Sequence, residues 1–215
     1  MEIVDSGICS ASEQMQKDCD LIARLDTLSR PILRLYSWQK KSITYGHFID
    51  VNQYVDVDEA ANLGFDIAKR PTGGGLLFHY YDFSFTIAVP SHHPLYSVSV
   101  LESYRLINSA LFKQDTLCQV DVSSFRQLCM ASPTKYDQLY EGKKVGGSAQ
   151  RRTSSGFVHQ CSIFLQVPNW QEVQKVWKGS NQEIEAMKQV CGAAPVYSSR
   201  EEFSQYVSDC FANLL

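Results

Sequence analysis

The chain has 215 residues, 44% of them hydrophobic, and a formal net charge of −3 at pH 7. This length and composition predict a single domain over residues 1–215 with a full core. The acidic balance and the scatter of basic residues argue against nucleic-acid binding. The first fifteen residues lack the basic and apolar segments of a signal peptide, and no apolar run approaches the roughly 18 residues of a membrane span. We therefore expect a cytoplasmic protein that binds neither nucleic acid nor membrane.

Seven cysteines are present, an odd number, and they form no C-x-x-C pair. They show no metal-ligand spacing with the five histidines. This pattern indicates mostly buried, reduced thiols and predicts no bound metal.

The first third of the chain predicts a helix followed by a hairpin. Ser10 and Glu13 form a capping box. Pro31 ends any continuation of the helix, and residues 32–38 and 42–48 read as two strands joined by a polar turn. The predicted apolar face of the helix is formed by Met15, Cys19, Ile22 and Leu25.

The rest of the chain mixes strand and helix patterns. Residues 83–89 alternate apolar and polar side chains, as a half-buried strand does. The other predicted strands are 66–69, 76–80 and 157–167. The predicted helices are 57–63, 170–177, 181–190 and 200–214. A further predicted helix has Val100, Tyr104, Ile107 and Leu111 on one face. This order favours an α+β fold with mixed or antiparallel sheets packed against helices.

Two glycine-rich segments carry the chemistry. The first is R-P-T-G-G-G at 70–75, followed by His79, and the second is G-K-K-V-G-G-S-A-Q at 142–150. Successive glycines let the backbone approach a ligand and offer N–H groups to anionic oxygens. The lysine pair in the second segment adds a cation that can neutralise developing negative charge. Together the segments predict a cradle for an adenylate or an acyl group.

Both segments resemble signatures of the lipoate-protein ligase and octanoyltransferase superfamily. L-Y-S-W at 35–38, S-I-T-Y-G at 42–46 and G-F-V-H at 156–159 extend the resemblance over most of the chain. The resemblance implies a catalytic domain of the biotin/lipoate ligase type. It also implies that Lys144 contacts the acyl carbonyl and phosphate and that Arg70 points at the phosphates or the carboxylate. The other implied ligand-binding residues are Thr72, Gly73, Gly74, Gly75, His79, Gly146, Gly147, Ser148 and Ala149.

The resemblance leaves two enzymatic reactions open. A ligase would use ATP, with magnesium arriving on the nucleotide, to activate lipoate or octanoate as an acyl-adenylate. Gly75, a third glycine, favours this reading, which is the main prediction. The alternative is a transferase that holds the acyl group as a thioester on a cysteine. Cys129 precedes P-T-K-Y-D at 133–137 and resembles the nucleophile of one octanoyltransferase class, whereas Cys191, followed by glycine, resembles that of a second class.

The resemblance also implies the partners. The acceptor would be a lipoyl domain of the E2 subunit of a 2-oxoacid dehydrogenase, or the glycine-cleavage H protein. Acyl carrier protein would be the donor for a transferase. The chain ends soon after its last predicted helix, so we expect no accessory C-terminal domain, and a separate chain would supply it if it is needed. A non-catalytic binder of lipoyl domains is the third reading.

Overall fold

The structure is a computed structural model that describes residues 1–111, 130, 137–194 and 199–215. The strands are β1 (Glu2–Cys9), β2 (Ile32–Trp38), β3 (Ser42–Tyr45), β4 (Asp66–Lys69), β5 (Leu76–His79), β6 (Asp82–Pro90), β7 (Leu139–Tyr140), β8 (Lys143–Lys144), β9 (Gly146–Thr153) and β10 (Gly156–Phe164). The helices are α1 (Ala11–Ala23), α2 (Val57–Asn62), α3 (Pro94–Ser97), α4 (Val100–Leu111), α5 (Trp170–Val176), α6 (Asn181–Val190) and α7 (Arg200–Phe211). In these parts of the chain, no helix has both the length and the apolarity to cross a membrane.

Two mixed sheets and a short hairpin organise these strands. The larger sheet has the order β1-β2-β6-β10-β9, and only β1 and β2 run parallel in it. The smaller sheet has the order β4-β3-β5, with β3 parallel to β4 and antiparallel to β5. Strands β7 and β8 form the hairpin that carries the lysine pair. The predicted α+β class with mixed sheets packed against helices is confirmed.

Each sheet has its own hydrophobic core. One face of the larger sheet packs against α4 and α7, where Ile107, Phe203 and Phe211 are buried. The smaller sheet packs against α5 and α6 through residues such as Phe78 and Met187. Burial of these apolar faces is what holds the layers together. The space between the two sheets is where both glycine-rich segments meet.

The predicted hairpin over residues 32–48 is wrong. Strand β2 is an interior strand, because β1 and β6 pair with its two edges. No edge is left for β3, which instead joins the smaller sheet. The short link after Trp38 therefore crosses from one sheet to the other, and the end of β2 and the start of β3 lie on two sides of the same space.

Two burial patterns also differ from the sequence prediction. All nine residues of β6 are buried, because Ser84 and Thr86 face a second layer that contains α1 instead of facing water. The capping box of α1 is confirmed, and the predicted apolar face is correct at Met15 and Leu25, which are buried, but wrong at Cys19. Cys19 is exposed, and the buried face consists of Ala11, Gln14, Met15, Asp18 and Leu21. Gln14 and Asp18 are buried because both bond to the guanidinium of Arg34 on β2.

The remaining helix predictions are confirmed to within three residues, the last helix ending at Phe211. The predicted strand 157–167 ends at Phe164. Strands β1 and β9 were not predicted.

Candidate active site

A pocket with a cavity volume of about 30 Å³ lies between the two sheets. Strands from both sheets reach it, and α1 closes one side with Met15. Its mostly apolar lining, with a few polar side chains among the apolar ones, is typical of a small-molecule site. The lining residues are Met15, Tyr36, Trp38, Thr44, Arg70, Leu77, His79, Gly147, Ser148, Ala149, Gln160, Cys161 and Ser162. Five of these, Arg70, His79, Gly147, Ser148 and Ala149, were predicted as site residues.

The first glycine-rich segment, residues 70–75, forms a loop that we call the glycine loop. Three backbone bonds tie it to the end of β3 and the two residues that follow. Arg70 N–H donates to Tyr45 C=O at 2.8 Å, His47 N–H donates to Thr72 C=O at 2.8 Å, and Gly46 N–H donates to Gly75 C=O at 3.2 Å. Gly74 has φ +90°, a left-handed conformation that glycine adopts without strain. A Cβ on Gly46 would lie 2.0 Å from Gly74 O. The close approach of the two backbones therefore requires glycine at position 46, the last residue of the S-I-T-Y-G motif.

Arg70 is buried and uses its guanidinium to build the glycine loop. Nη2 donates to Gly75 C=O at 2.7 Å and to Gly73 C=O at 3.3 Å, and Nη1 donates to Thr44 Oγ1 at 2.9 Å. The C=O and N–H of a trans peptide point in opposite directions. The Gly74 N–H therefore points away from the guanidinium. The predicted contact of Arg70 with a phosphate or carboxylate stays a prediction.

His79 lies on the pocket wall and is fixed from both sides. Its Nδ1 is 2.6 Å from Asp82 Oδ2, and its Nε2 is 2.7 Å from Thr44 Oγ1. A carboxylate only accepts hydrogen bonds, so Nδ1 carries a proton. The Trp38 ring lies 4.3 Å from the imidazole, centroid to centroid. His79 thus links Asp82 to Thr44 and, through Thr44, to Arg70.

The second segment places the two lysines in different environments. Lys144 is buried, and its Nζ forms an ion pair with Asp137 Oδ2 at 2.8 Å. Lys143 has an exposed side chain whose Nζ donates to the Gln189 carbonyl. A buried cation needs a counter-charge, which Asp137 supplies. The structure therefore separates a buried, paired Lys144 from an exposed Lys143. The implied contact of Lys144 with the acyl carbonyl and phosphate stays a prediction.

Strand β9 continues from the lysines along the pocket. Gly147, Ser148 and Ala149 line it. The hydroxyl of Ser148 accepts from Gln138 Nε2 at 2.9 Å and lies 3.3 Å from Asn108 Oδ1. Gly146 lies just outside the lining, where a Cβ would approach Ser162 O to 2.9 Å. Glycine at 146 therefore lets β9 and β10 pack closely beside the pocket.

A buried polar network behind the pocket was missed by the sequence analysis. Gln160 joins Thr72 of the glycine loop to Asp18 of α1, and Asp18 pairs with Arg34 of β2. All four side chains are buried. An arginine inside the apolar run I-L-R-L-Y and an aspartate on the inner face of a helix were the available signals, because such charges are rarely buried unless they are paired.

Two buried thiols lie near Lys144. Cys161 lines the pocket, and burial raises the pKa of its thiol to about 12 despite the nearby Ser148 hydroxyl. Burial likewise raises the pKa of Cys191 to about 12, and its Sγ lies 3.3 Å from the Met130 carbonyl oxygen. Both thiols are therefore protonated at neutral pH. Cys129 lies outside the described residues, and among those described no group of three or more His, Cys, Asp or Glu side chains is placed to hold a metal ion.

The sequence profile of the lipoyl protein ligase A/B catalytic domain matches residues 10–209, and the chain belongs to this family of enzymes. Among curated proteins, octanoyltransferase LipM of Carboxydothermus hydrogenoformans is 28% identical over 173 residues, which cover 76% of this chain and 64% of the relative. LipM of Kyrpidia tusciae is 30% identical over 149 residues, covering 63% and 54%. The matched part of the chain thus spans about half to two thirds of these curated relatives.

Solved structures share the fold at low sequence identity. A lipoate-protein ligase A bound with ATP superposes with a TM-score of 0.74 at 18% identity, covering 98% of this chain and 83% of the other. The bipartite lipoate protein ligase of Thermoplasma acidophilum, studied with its E2 lipoyl domain, gives 0.71 at 17% identity, covering 99% and 83%. These similarities confirm the predicted fold and not the reaction.

Proposed function

We propose that the chain is a cysteine-dependent octanoyltransferase that moves an octanoyl group from acyl carrier protein to a lysine of a lipoyl domain. This is the alternative of the sequence analysis, and the curated relatives named octanoyltransferase support it over the ATP-dependent ligase. Cys129 is the proposed nucleophile, because it precedes the P-T-K-Y-D segment and the lysine hairpin in sequence.

The observation that carries the proposal is the position of Met130, the residue that follows Cys129. Its sulfur accepts from Phe78 N–H at 3.5 Å, and its carbonyl oxygen lies 3.3 Å from Cys191 Sγ. Phe78 stands between two pocket-lining residues of β5, and Cys191 forms a backbone bridge with Lys144. Met130, which follows the proposed nucleophile in sequence, is therefore anchored between the pocket wall and the residue that bridges to the buried lysine.

The described residues suit the other parts of the reaction. Met15, Tyr36, Trp38 and Leu77 offer apolar surface to an octanoyl chain. Lys144, held by Asp137, is the proposed donor to the oxygen that becomes negative when the acyl carbonyl is attacked. A donor that is fixed before the reaction does not have to reorganise as the charge forms, which lowers the barrier.

The proposed reaction has two acyl-transfer steps. The Cys129 thiolate attacks the thioester carbonyl of the donor, the carbon–sulfur bond to the carrier breaks, and the carrier thiolate leaves and takes a proton. The neutral amine of the acceptor lysine then attacks the octanoyl–Cys129 thioester. An amide forms, the Cys129 thiolate is released, and the amine loses its proton to solvent or a nearby base. Neither step consumes ATP, and the thiolate requires the reducing environment of the proposed cytoplasmic location.

The test is the mass added to an apo lipoyl domain. The protein is incubated with octanoyl acyl carrier protein without ATP, and separately with ATP, magnesium and free lipoate or octanoate. We expect octanoylation from the carrier without ATP, and its loss in Cys129→Ala. An octanoyl adduct on Cys129 should accumulate when the acceptor is left out.

Cys19→Ala is the matched control, since Cys19 is an exposed thiol on α1, outside the pocket lining. It should keep wild-type activity. Modification that requires ATP and survives Cys129→Ala would refute the proposal and establish the ligase. No added mass under either condition would favour the non-catalytic binder.

A further inference from the structure

Gln160 connects the glycine loop to the opposite wall of the pocket. Its Oε1 is 2.5 Å from the Thr72 hydroxyl, and its Nε2 is 2.5 Å from Asp18 Oδ2. Gln160 itself lines the pocket and is 4% exposed. One side chain therefore contacts the loop, the pocket and helix α1.

The chemistry of the groups decides which one donates and which one accepts in each of these two hydrogen bonds. The carboxylate of Asp18 only accepts hydrogen bonds, so the amide nitrogen of Gln160 must face it. The amide oxygen then faces Thr72, whose hydroxyl must donate. Arg34 holds Asp18 in place, with Nη2 at 2.7 Å and Nε at 3.1 Å from Oδ1.

Further hydrogen bonds hold Arg34 itself in place. The Nη1 of Arg34 donates to Gln14 Oε1 at 2.7 Å, and Gln14 Nε2 donates to the carbonyls of Gly7 and Ser37. Three elements, β1, β2 and α1, thus share one set of hydrogen bonds. Gln160 extends that set across the sheet to the loop.

Thr72 is the point where the glycine loop receives this support. Its carbonyl is held by the His47 N–H on one side and its hydroxyl by Gln160 on the other. The three glycines follow directly, and glycines have no side chains of their own to fix their position. The placement of their N–H groups relative to the pocket therefore depends on the anchored residues that flank them.

We propose that Gln160, held by Asp18, is a positioning residue that fixes the Thr72 end of the glycine loop against the acyl pocket during transfer. The inference rests on the proposed acyl transfer. A displaced loop leaves the acyl chain in its pocket but moves the backbone donors away from the carbonyl. The predicted signature is a loss in kcat with little change in KM for the acyl donor.

Gln160→Glu is the sharpest test, because it keeps the length of the side chain and replaces the amide with a carboxyl group that can ionise. A protonated glutamate donates to Asp18 and accepts from Thr72 as glutamine does, whereas an ionised one faces the Asp18 carboxylate. Two adjacent carboxylates share a proton at higher pH than either alone. The variant should lose kcat by about tenfold or more at pH 8 and recover relative to wild type as the pH falls. The charged or titratable groups around this position are Asp18, Arg34, Tyr36, Arg70, His79 and Cys161.

Gln16→Glu is the matched control. Gln16 lies on α1, as Asp18 does, and its Nε2 donates to Asp20 Oδ1 at 2.9 Å, but this glutamine–aspartate pair is exposed to solvent. It should show the wild-type pH profile and kcat. A Gln160→Glu profile parallel to that of wild type would overturn the proposal.

A double-mutant cycle keeps the proposal testable if Gln160→Glu fails to fold. Thr72→Val removes only the hydroxyl donor, and Gln160→Met removes the amide. If the two residues act as one pair, the double variant should lose no more kcat than the worse single variant. Independent, additive losses would contradict the pairing.

Hydrogen exchange supplies a readout that needs no turnover. In Gln160→Met, peptides covering residues 71–76 should exchange faster relative to peptides covering α7, a comparison that allows for the stability lost when buried Asp18 and Thr72 lose this partner. Unchanged exchange in the loop would overturn the positioning role. The kinetic assays use whichever acyl donor the wild type accepts, so an ATP-dependent wild type would refute the proposed function and leave this test intact.

Discussion

The glycine loop and the lysine hairpin (β7–β8) each carry a buried cation, and the two cations differ in what they bind. Arg70 donates to two carbonyls of its own loop and to Thr44. Lys144 pairs with the carboxylate of Asp137 and has a backbone bridge to Cys191. Arginine has a planar fork that suits several carbonyls at once, whereas lysine presents a compact charge. The first cation shapes the backbone of its own loop, and the second is a buried charge balanced by a carboxylate.

Removal of Lys144 should have the largest effect. Lys144→Ala should lower kcat by about 10²–10³-fold, because one preorganised donor to a developing oxyanion is worth that much. It also leaves Asp137 buried without this partner, which costs about 3 kcal/mol of stability or more. Mass transfer to the lipoyl domain and thermal unfolding measure the two effects.

Two further variants separate catalysis from stability at this position. Lys144→Met with Asp137→Leu removes both charges and should recover much of the lost stability, but no activity. Lys143→Ala alters the exposed lysine of the same hairpin and should stay within about twofold of wild type, as exposed substitutions usually do. Activity regained in the double variant would show that Lys144 acts only as the partner of Asp137.

Gly46→Ala should have the next largest effect. The new Cβ would lie 2.0 Å from Gly74 O, so β3 and the glycine loop must separate. A displacement of about 1 Å at a reacting group can cost up to about 100-fold in rate. We expect a loss approaching that size, together with a lower Tm.

Gly73→Ala is the steric control for Gly46→Ala, because a Cβ there meets nothing within 4 Å. Its Tm should stay within about 2 °C of wild type. Equal destabilisation by both variants would mean that the close approach of the two backbones is not what fixes the loop.

Much of this site was readable from the sequence, because its parts are local. The run R-P-T-G-G-G predicted a turn between two strands. The lysine pair beside the glycines of the second segment predicted a cation at the site. Both predictions depend on neighbours in the chain. The anchors of the glycine loop were not predictable in this way, since Thr44 and Gln160 reach it from strands that are distant in sequence.

The errors in the fold have a related cause. Apolar periodicity assigns polar residues to the surface, and it therefore missed that Asp18 belongs to the inner face of α1, where Arg34 neutralises it. The same reasoning joined neighbouring strands into a hairpin, although strand pairing is decided by edges that the whole sheet makes available. Paired charges and occupied edges are properties of the assembled molecule.

Arg70→Lys should have a moderate effect that sharpens the comparison of the two cations. Lysine keeps the charge but cannot span Thr44 Oγ1 and the two loop carbonyls together. If the fork is what matters, kcat/KM should fall by about tenfold and hydrogen exchange in the loop should speed up. A fully active Arg70→Lys beside an inactive Arg70→Met would show instead that Arg70 acts through its charge.

Cys191→Ser should have the smallest effect, because Cys129 is the proposed nucleophile and Cys191 is a buried thiol beside the hairpin. A serine hydroxyl can still donate to the Met130 carbonyl, so transfer should stay within about twofold of wild type.

Iodoacetamide at pH 8 should leave Cys191 unlabelled in the folded protein, since burial raises the pKa of this thiol to about 12. The unfolded thiol ionises near its ordinary pKa of 9.0. The neutral folded form therefore adds stability that is complete below pH 9 and is lost as the pH rises toward 12. Relative to Cys191→Ser, the wild-type free energy of unfolding should fall by up to about 1.4 kcal/mol per pH unit in that window. Loss of transfer in Cys191→Ser, or alkylation of Cys191 at pH 8, would instead assign the thioester to this thiol.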